Sequence, residues 1–204
     1  NIRSGSAAIH YATGVTDSGK LVYIQNDGAN GKTFFLDDNG TYVSTGVRLE
    51  IGEEFYLGTW GEKMGFFDWR NRIIAEFDVS TQTYTQTTLT DMNYSRIYGP
   101  GNSRNKVKTA YSYGYFAYAK EGGVIIVTPE KEIRYYDYPE DYRIWQNTEG
   151  GMKLYKDHAY VNIFDRWGVP KMHVTTDDSM EPVDHGFAVC HVGETVYTQG
   201  FIEN

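Results

Sequence analysis

Four of the five histidines lie in the last third of the chain, at His158, His173, His185 and His191. Asp184 adjoins His185, Cys190 adjoins His191, and Asp177 and Asp178 stand upstream, so the residue types of a metal site are present. Their spacing does not assemble one. His185 and His191 share a face only if one strand runs through both, and Gly186 interrupts it. Cys190 and His191 point to opposite faces of a strand, and no Cys-x-x-Cys or His-x-x-x-His occurs. The histidines read as surface or core residues, and no metal or other cofactor is implied. A Cys/His nucleophile fails for a different reason: Phe187-Ala188-Val189-Cys190 reads as a buried strand, where a thiol is inert. No Gly-x-Ser-x-Gly elbow and no P-loop is present.

Carboxylates are plentiful, and Glu53, Glu54, Asp68, Asp137, Glu140, Asp141 and Asp165 are eligible for a glycosidase pair. Such a pair needs two carboxyls about 5 to 9.5 Å apart, and most of these residues stand at turns, where Asp caps the local backbone. Asp37-Asp38-Asn39-Gly40 lacks the alternating ligands and terminal Glu of a calcium loop. It reads instead as a hairpin turn, with Asn-Gly supplying the positive φ angles.

The strongest chemical signal is aromatic. The chain has 18 tyrosines in 204 residues, many of them between Tyr94 and Tyr142. Tyr111, Tyr113 and Tyr115 alternate, which predicts one strand from Tyr111 to Tyr118 with these rings on a single face; Gly114 would mark a bulge. Tyr136, Tyr142 and Trp145 follow closely. A half-exposed tyrosine packs through its ring and leaves its hydroxyl for a partner, which suits sugar or protein surfaces. These residues, with Trp69 and Trp167, are the candidate ligand-binding set. Cross-strand ring pairing that only stabilises sheets is the alternative.

The elements that must position them are strands. Runs rich in Val, Ile, Tyr, Phe and Thr alternate with Gly, Asn and Asp turns, at a density of about 17 to 19 strands. One short helix is predicted, from Glu140 to Thr148, between Pro139 and Gly150. No Pro/Gly/Ser linker divides residues 1–204, which predicts a single all-β domain. Hairpins whose first strands end at 36, 67, 98, 127, 164 and 192 recur with a period of about 31 residues. Repetition of small sheets, each packed on its neighbour, predicts a propeller-like ring; a β-sandwich or barrel is the alternative.

Composition removes several functions. A net charge of -8 leaves no basic surplus for nucleic acid. Arg104, Lys106 and Lys108 beside Gly99-Pro100-Gly101 read as a solvated loop. No apolar run of about 18 residues exists to insert into a membrane as a helix. The lone cysteine precludes an intrachain disulfide, so the core must hold the fold. The start at Asn1 is expected to be that of a processed or excised piece, favouring an extracellular or surface location.

Near the N-terminus, Ser6-Ala7-Ala8-Ile9-His10-Tyr11, then Lys20-Leu21-Val22-Tyr23-Ile24-Gln25, then Tyr42 and Gly46, resemble one blade of the fungal fucose-binding lectins. The resemblance covers about 40 residues and implies a six-bladed propeller. Lectins of that family hold sugar with an arginine, a glutamate and a closing aromatic. In this chain Leu21 stands at the arginine's place, Phe34 and Phe35 near the glutamate's, and Tyr42 at the aromatic's.

The sequence thus predicts a non-enzymatic extracellular recognition module binding carbohydrate, or a protein surface, through Tyr and Trp side chains. A structural virion, tail or surface-layer protein assembling through tyrosine-rich faces, including as a homo-oligomer, is the competing class. A glycan-acting hydrolase is the third.

Overall fold

The computed structural model describes residues 10–26, 32–51, 54–93, 108–120, 122–140, 142–143, 152–183, 187–192 and 195–199. All regular structure among them is β. The chain divides into two compact units, Asn1–Thr90 and Asp91–Asn204.

The first unit holds two four-stranded antiparallel sheets, each a simple meander in chain order. The first sheet comprises β1 (His10–Val15), β2 (Leu21–Asn26), β3 (Lys32–Asp38) and β4 (Thr41–Arg48). The second comprises β5 (Glu54–Trp60), β6 (Lys63–Asp68), β7 (Ile73–Asp78) and β8 (Thr83–Thr88). A four-stranded sheet with one apolar face needs a partner, and these two supply each other. Val22, Ile24, Phe34 and Leu36 of the first sheet form one buried cluster with Met64, Phe66, Ala75 and Phe77 of the second. Phe34 stacks on Phe77 at 4.1 Å between centroids and meets Phe66 edge-on at 5.9 Å. At the rim, Asp17 N–H donates to Gly61 O at 3.0 Å, and Ser18 donates its N–H and hydroxyl to the Glu62 carboxylate at 3.0 Å each.

The second unit repeats the scheme. Its third sheet, ordered β12-β11-β10-β9, is formed by β9 (Lys108–Ser112), β10 (Tyr115–Lys120), β11 (Gly123–Val127) and β12 (Ile133–Asp137). The fourth contains β13 (Tyr142–Arg143), β14 (Met152–Tyr155), β15 (His158–Asp165), β16 (Pro170–Thr175) and β17 (Met180–Val183). Strands β13 and β14 pair with successive parts of the same edge of β15, so the sheet is four strands wide. The fifth pairs β18 (Phe187–Val192) with β19 (Thr195–Gln199). Ala117, Val124, Ile126 and Tyr136 of the third sheet are buried together with Met152, Leu154, Val161 and Ile163 of the fourth.

Each sheet is a separate run of consecutive strands, so the chain is all-β with propeller-like sheets. One continuous barrel sheet or a two-sheet sandwich would pair strands differently. The hairpins expected near 36, 67, 127, 164 and 192 are present, but not at equivalent places in their sheets. The first lies between third and fourth strands, the second between second and third. Among the described residues the sheets begin at 10, 54, 108, 142 and 187, spaced by 44, 54, 34 and 45, so the hairpin period of about 31 is not the period of the sheets. The hairpin expected at 98 lies outside the described residues. Tyr142 and Arg143 are strand rather than helix because they pair with Asp165 and Phe164; Asp141 and 144–148 lie outside the described residues.

Strand ends carry a recurring turn device. Asp37 Oδ1 accepts from Gly40 N–H at 2.7 Å, which makes Asp37-Asp38-Asn39-Gly40 a hairpin turn. Asp68 Oδ1 accepts from the N–H groups of Arg70 and Asn71 at 3.0 and 2.9 Å. Asp78 Oδ1 takes those of Ser80 and Thr81 at 2.9 and 3.1 Å, and Asp165 Oδ1 those of Trp167 and Val169 at 2.9 and 2.8 Å. Thr16 and Thr128 use hydroxyls the same way, toward Lys20 and Glu132 N–H at 3.1 Å each. Local turn closure frees the tips to vary.

Two consequences are measurable. Phe34→Ala should cost about 3–5 kcal/mol in urea denaturation, because Phe34 is fully buried against two rings. Burial lowers the pKa of His173 from its ordinary 6.5, outweighing the Lys171 carbonyl that raises it. The unfolded chain therefore takes up this proton first, so the stability is full above about pH 6.5 and declines on acidification. His173→Gln should flatten that slope by up to about 1.4 kcal/mol per pH unit.

Candidate recognition site

The predicted strand from Tyr111 to Tyr118 is a hairpin. Ser112 pairs with Tyr115 across a two-residue turn, Tyr113-Gly114, with φ of 53° and 79°. Cross-strand partners share a face. Tyr111 pairs with Phe116 and lies buried at 8% exposure, whereas Tyr115 packs beside Ala117 on the other face. The three tyrosines therefore do not form one stripe, and Gly114 is a turn residue rather than a bulge. Its missing Cβ lets Pro129 pack close, since a Cβ there would lie 3.3 Å from Pro129 Cγ.

The hairpin does bring Tyr113 to a site. Its ring meets Tyr155 edge-on at 5.5 Å, and Lys156 Nζ lies 5.6 Å from the Tyr113 centroid and 5.3 Å from that of Tyr155. Tyr155 ends β14 and pairs with His158 across the two-residue turn Lys156-Asp157, where Lys156 has φ 49°. The next residue faces a different group: Asp157 Oδ2 lies 3.7 Å from Arg134 of β12, and Asp157 Oδ1 lies 3.6 Å from His158 Nε2. Side chains of Arg134, Asp157 and His158 retain 38%, 32% and 42% of their exposure, so a ligand can reach them.

Positioning comes from Thr175 of β16, which is fully buried. Its Oγ1 accepts from Ala159 N–H at 2.8 Å, and its carbonyl accepts from His158 Nδ1 at 2.8 Å. His158 Nδ1 therefore carries a proton and Nε2 is aimed at Asp157. Burial works to lower the Arg134 pKa, but Tyr136, Asp157 and Tyr115 outweigh it and hold the guanidinium above its ordinary value. Burial raises the Tyr136 phenol, with Arg134 opposing, so its neutral form persists through alkaline pH.

Of the predicted residues, Tyr113, Tyr115 and Tyr136 thus gather around Arg134 and the β14–β15 turn, although Tyr136 is core at 4% exposure. Trp167 stands at the β15–β16 turn, the far end of β15 from His158, at 70% exposure with Arg166 Cζ 4.0 Å over its ring. Tyr142 pairs with Asp165 at that same end. Trp69 sits in the β6–β7 turn of the first unit under Arg70 at 5.4 Å. Trp145 and the Asp184-His185 pair lie outside the described residues, as do Ser6–Ile9 of the lectin-like segment. Asp68 and Asp165 are engaged by their turns. Among the described residues no group of three His, Cys, Asp or Glu side chains is placed to hold a metal.

In the first sheet, Phe34 is core, Phe35 stacks on Tyr23 at 5.2 Å, and exposed Tyr42 meets Tyr23 edge-on at 5.0 Å. Sequence reasoning missed Arg134, Tyr155, Lys156 and Asp157, and weighed His158 only as a metal ligand. The available signal was Tyr-Lys-Asp-His at a hairpin tip, a concentration of recognition chemistry where only turn residues are needed.

No protein-family model matches the chain, and no curated protein matches it. Among solved structures it is similar to the N-terminal domain of Nup159, with TM-score 0.47, 9% identity and 88% of this chain covered. The chain spans 50% of that domain's length. U3-55K gives TM-score 0.43 and 9% identity over 91% of this chain and 70% of its own. Kluyvelomyces marxianus Hsv2 gives 0.35 and 8% over 84% and 74%. The fold assignment rests on the sheet topology itself.

The two layers of the site should separate in equilibrium denaturation. Thr175→Val strips the acceptor from the Ala159 N–H and should cost about 1–3 kcal/mol. Asp157→Asn, which removes only partly exposed ion pairs, should cost under about 1 kcal/mol.

Proposed function

We propose that this chain is a non-enzymatic recognition module that binds carbohydrate at the adjoining β9–β10 and β14–β15 turns. The observation that carries the reading is Tyr113. A two-residue turn with both φ angles positive is relaxed as Asn-Gly, and the chain builds one at Asn39-Gly40 with φ of 53° and 82°. The β9–β10 turn has the same signs of φ but places a tyrosine there, which costs backbone energy. What that tyrosine gains is a ring beside Tyr155 and Lys156, and the residue after Lys156, Asp157, holds the Arg134 guanidinium and the His158 imidazole. Aromatic faces with planar hydrogen-bonding groups suit the apolar faces and hydroxyls of a sugar. An extracellular or surface setting, where glycans are met, belongs to the same proposal. A hydrolase finds less support, because Asp68 and Asp165 serve their own turns.

Tyr113→Asn tests this reading. Relief of backbone strain, about 1 kcal/mol, should offset the lost ring contacts, about 0.5–1.5 kcal/mol, so the melting temperature should barely move. On an array of neutral and acidic oligosaccharides, the wild-type protein should bind and Tyr113→Asn should lose at least about tenfold in affinity. No wild-type binding to any glycan, or equal binding by the variant, would remove the proposal.

A further inference from the structure

At the β14–β15 turn one carboxylate stands between two groups that compete for it. Asp157 Oδ2 lies 3.7 Å from the Arg134 guanidinium, and Oδ1 lies 3.6 Å from His158 Nε2. A charge-assisted hydrogen bond spans about 2.7–2.9 Å, so both contacts are loose. On the histidine side the tautomer is the cause. His158 Nδ1 donates to Thr175 O at 2.8 Å, which leaves the neutral ring with a bare Nε2, and a bare ring nitrogen and a carboxylate are both acceptors. A proton on Nε2 turns that contact into an ion pair whose donor is already aimed. Arg134 has Tyr136 and Tyr115 as its other neighbours, and Asp177 of the β16–β17 turn lies near enough to act on Tyr136. Lys156 adjoins Asp157 in the turn. With His158 neutral, Arg134 and Lys156 are matched by Asp157 and Asp177, and a proton on His158 leaves a positive surplus.

Resting on the carbohydrate reading above, we propose that the ligand of this site is a sugar carrying a carboxylate, which takes the place of Asp157 on Arg134. Protonation of His158 opens that place by drawing Asp157 to itself. Asp157 shows the chemistry Arg134 accepts: a planar carboxylate, which a guanidinium grips with two parallel N–H donors. The Arg134 side chain retains 38% of its exposure, so a ligand reaches it from solvent. The same exposure makes parting Arg134 from Asp157 cheap, under about 1 kcal/mol for such a pair. An incoming carboxylate therefore displaces Asp157 at little cost, and Asp157 keeps an ion-pair partner in protonated His158. A sugar carboxylate, like other carboxyls, ionises at about pH 4 or below. Between neutral and mildly acidic pH the ligand thus keeps its charge while the imidazole gains one, and acidification tightens binding.

The test compares affinities of the full chain for uronate- and sialate-bearing oligosaccharides and for the same oligosaccharides with the carboxyl reduced to an alcohol, at about pH 5.5 and about pH 7.5. Wild type should prefer the carboxylated form at least about tenfold at the lower pH, and should bind it about fivefold more weakly at the higher one. Arg134→Gln should erase the preference. His158→Gln should lose the pH dependence, which separates His158 from His173, the buried imidazole of β16. Asp157→Asn should bind the carboxylated form more tightly than wild type at the higher pH, a gain that no loss of folding produces. Equal binding of the carboxylated and reduced forms, a pH dependence that survives His158→Gln, or weaker binding by Asp157→Asn would overturn the proposal and leave the carbohydrate reading standing. Absence of binding to every glycan would remove both.

Discussion

Everything in this chain depends on the inability of a small sheet to stand alone. Four short strands bury too little apolar surface to offset the entropy of ordering them. Each sheet must therefore give its inner face to another. Phe34 between Phe77 and Phe66 does this in the first unit, and the layer of Val124, Ile126, Leu154 and Val161 does it in the second. Because no disulfide is available, these layers carry the stability.

That constraint leaves the turns to other work. A meander needs only a closing device at each strand end, and Asp or Thr accepting from the backbone supplies it at Asp37, Asp68, Asp78, Asp165, Thr16 and Thr128. The β9–β10 and β14–β15 turns do something further: they bring rings and charges together. Packing of the third sheet on the fourth is what sets one turn beside the other, and buried Thr175 fixes the orientation of His158.

Much of the architecture was legible from residue pattern. Alternation and turn residues predicted about 17 to 19 strands, and 19 are present among the described residues. Tyr111 to Tyr118 failed because Tyr-Gly is not a recognised hairpin signal. Alternating aromatics looked like one strand, while Gly114 against Pro129 was turning the chain. The hairpin period did not give the sheet boundaries, because hairpins between any two strands look alike in sequence; only pairing shows which strand opens a sheet. The site was half legible. Tyr113 and Tyr115 were found from composition, but Arg134 and Asp157 belong to different sheets, and nothing local in the sequence predicts that they meet.

The central claim is that the two tyrosine-bearing turns form one ligand surface. Amide hydrogen exchange, read by mass spectrometry with and without the strongest-binding oligosaccharide of the array, tests it directly. Ligand should slow exchange together in peptides covering residues 109–118 and 152–160, leaving those of β6 and β7 unchanged. Protection confined to the Trp167 turn or to the first sheet, with none at Tyr113 and Asp157, would contradict the account.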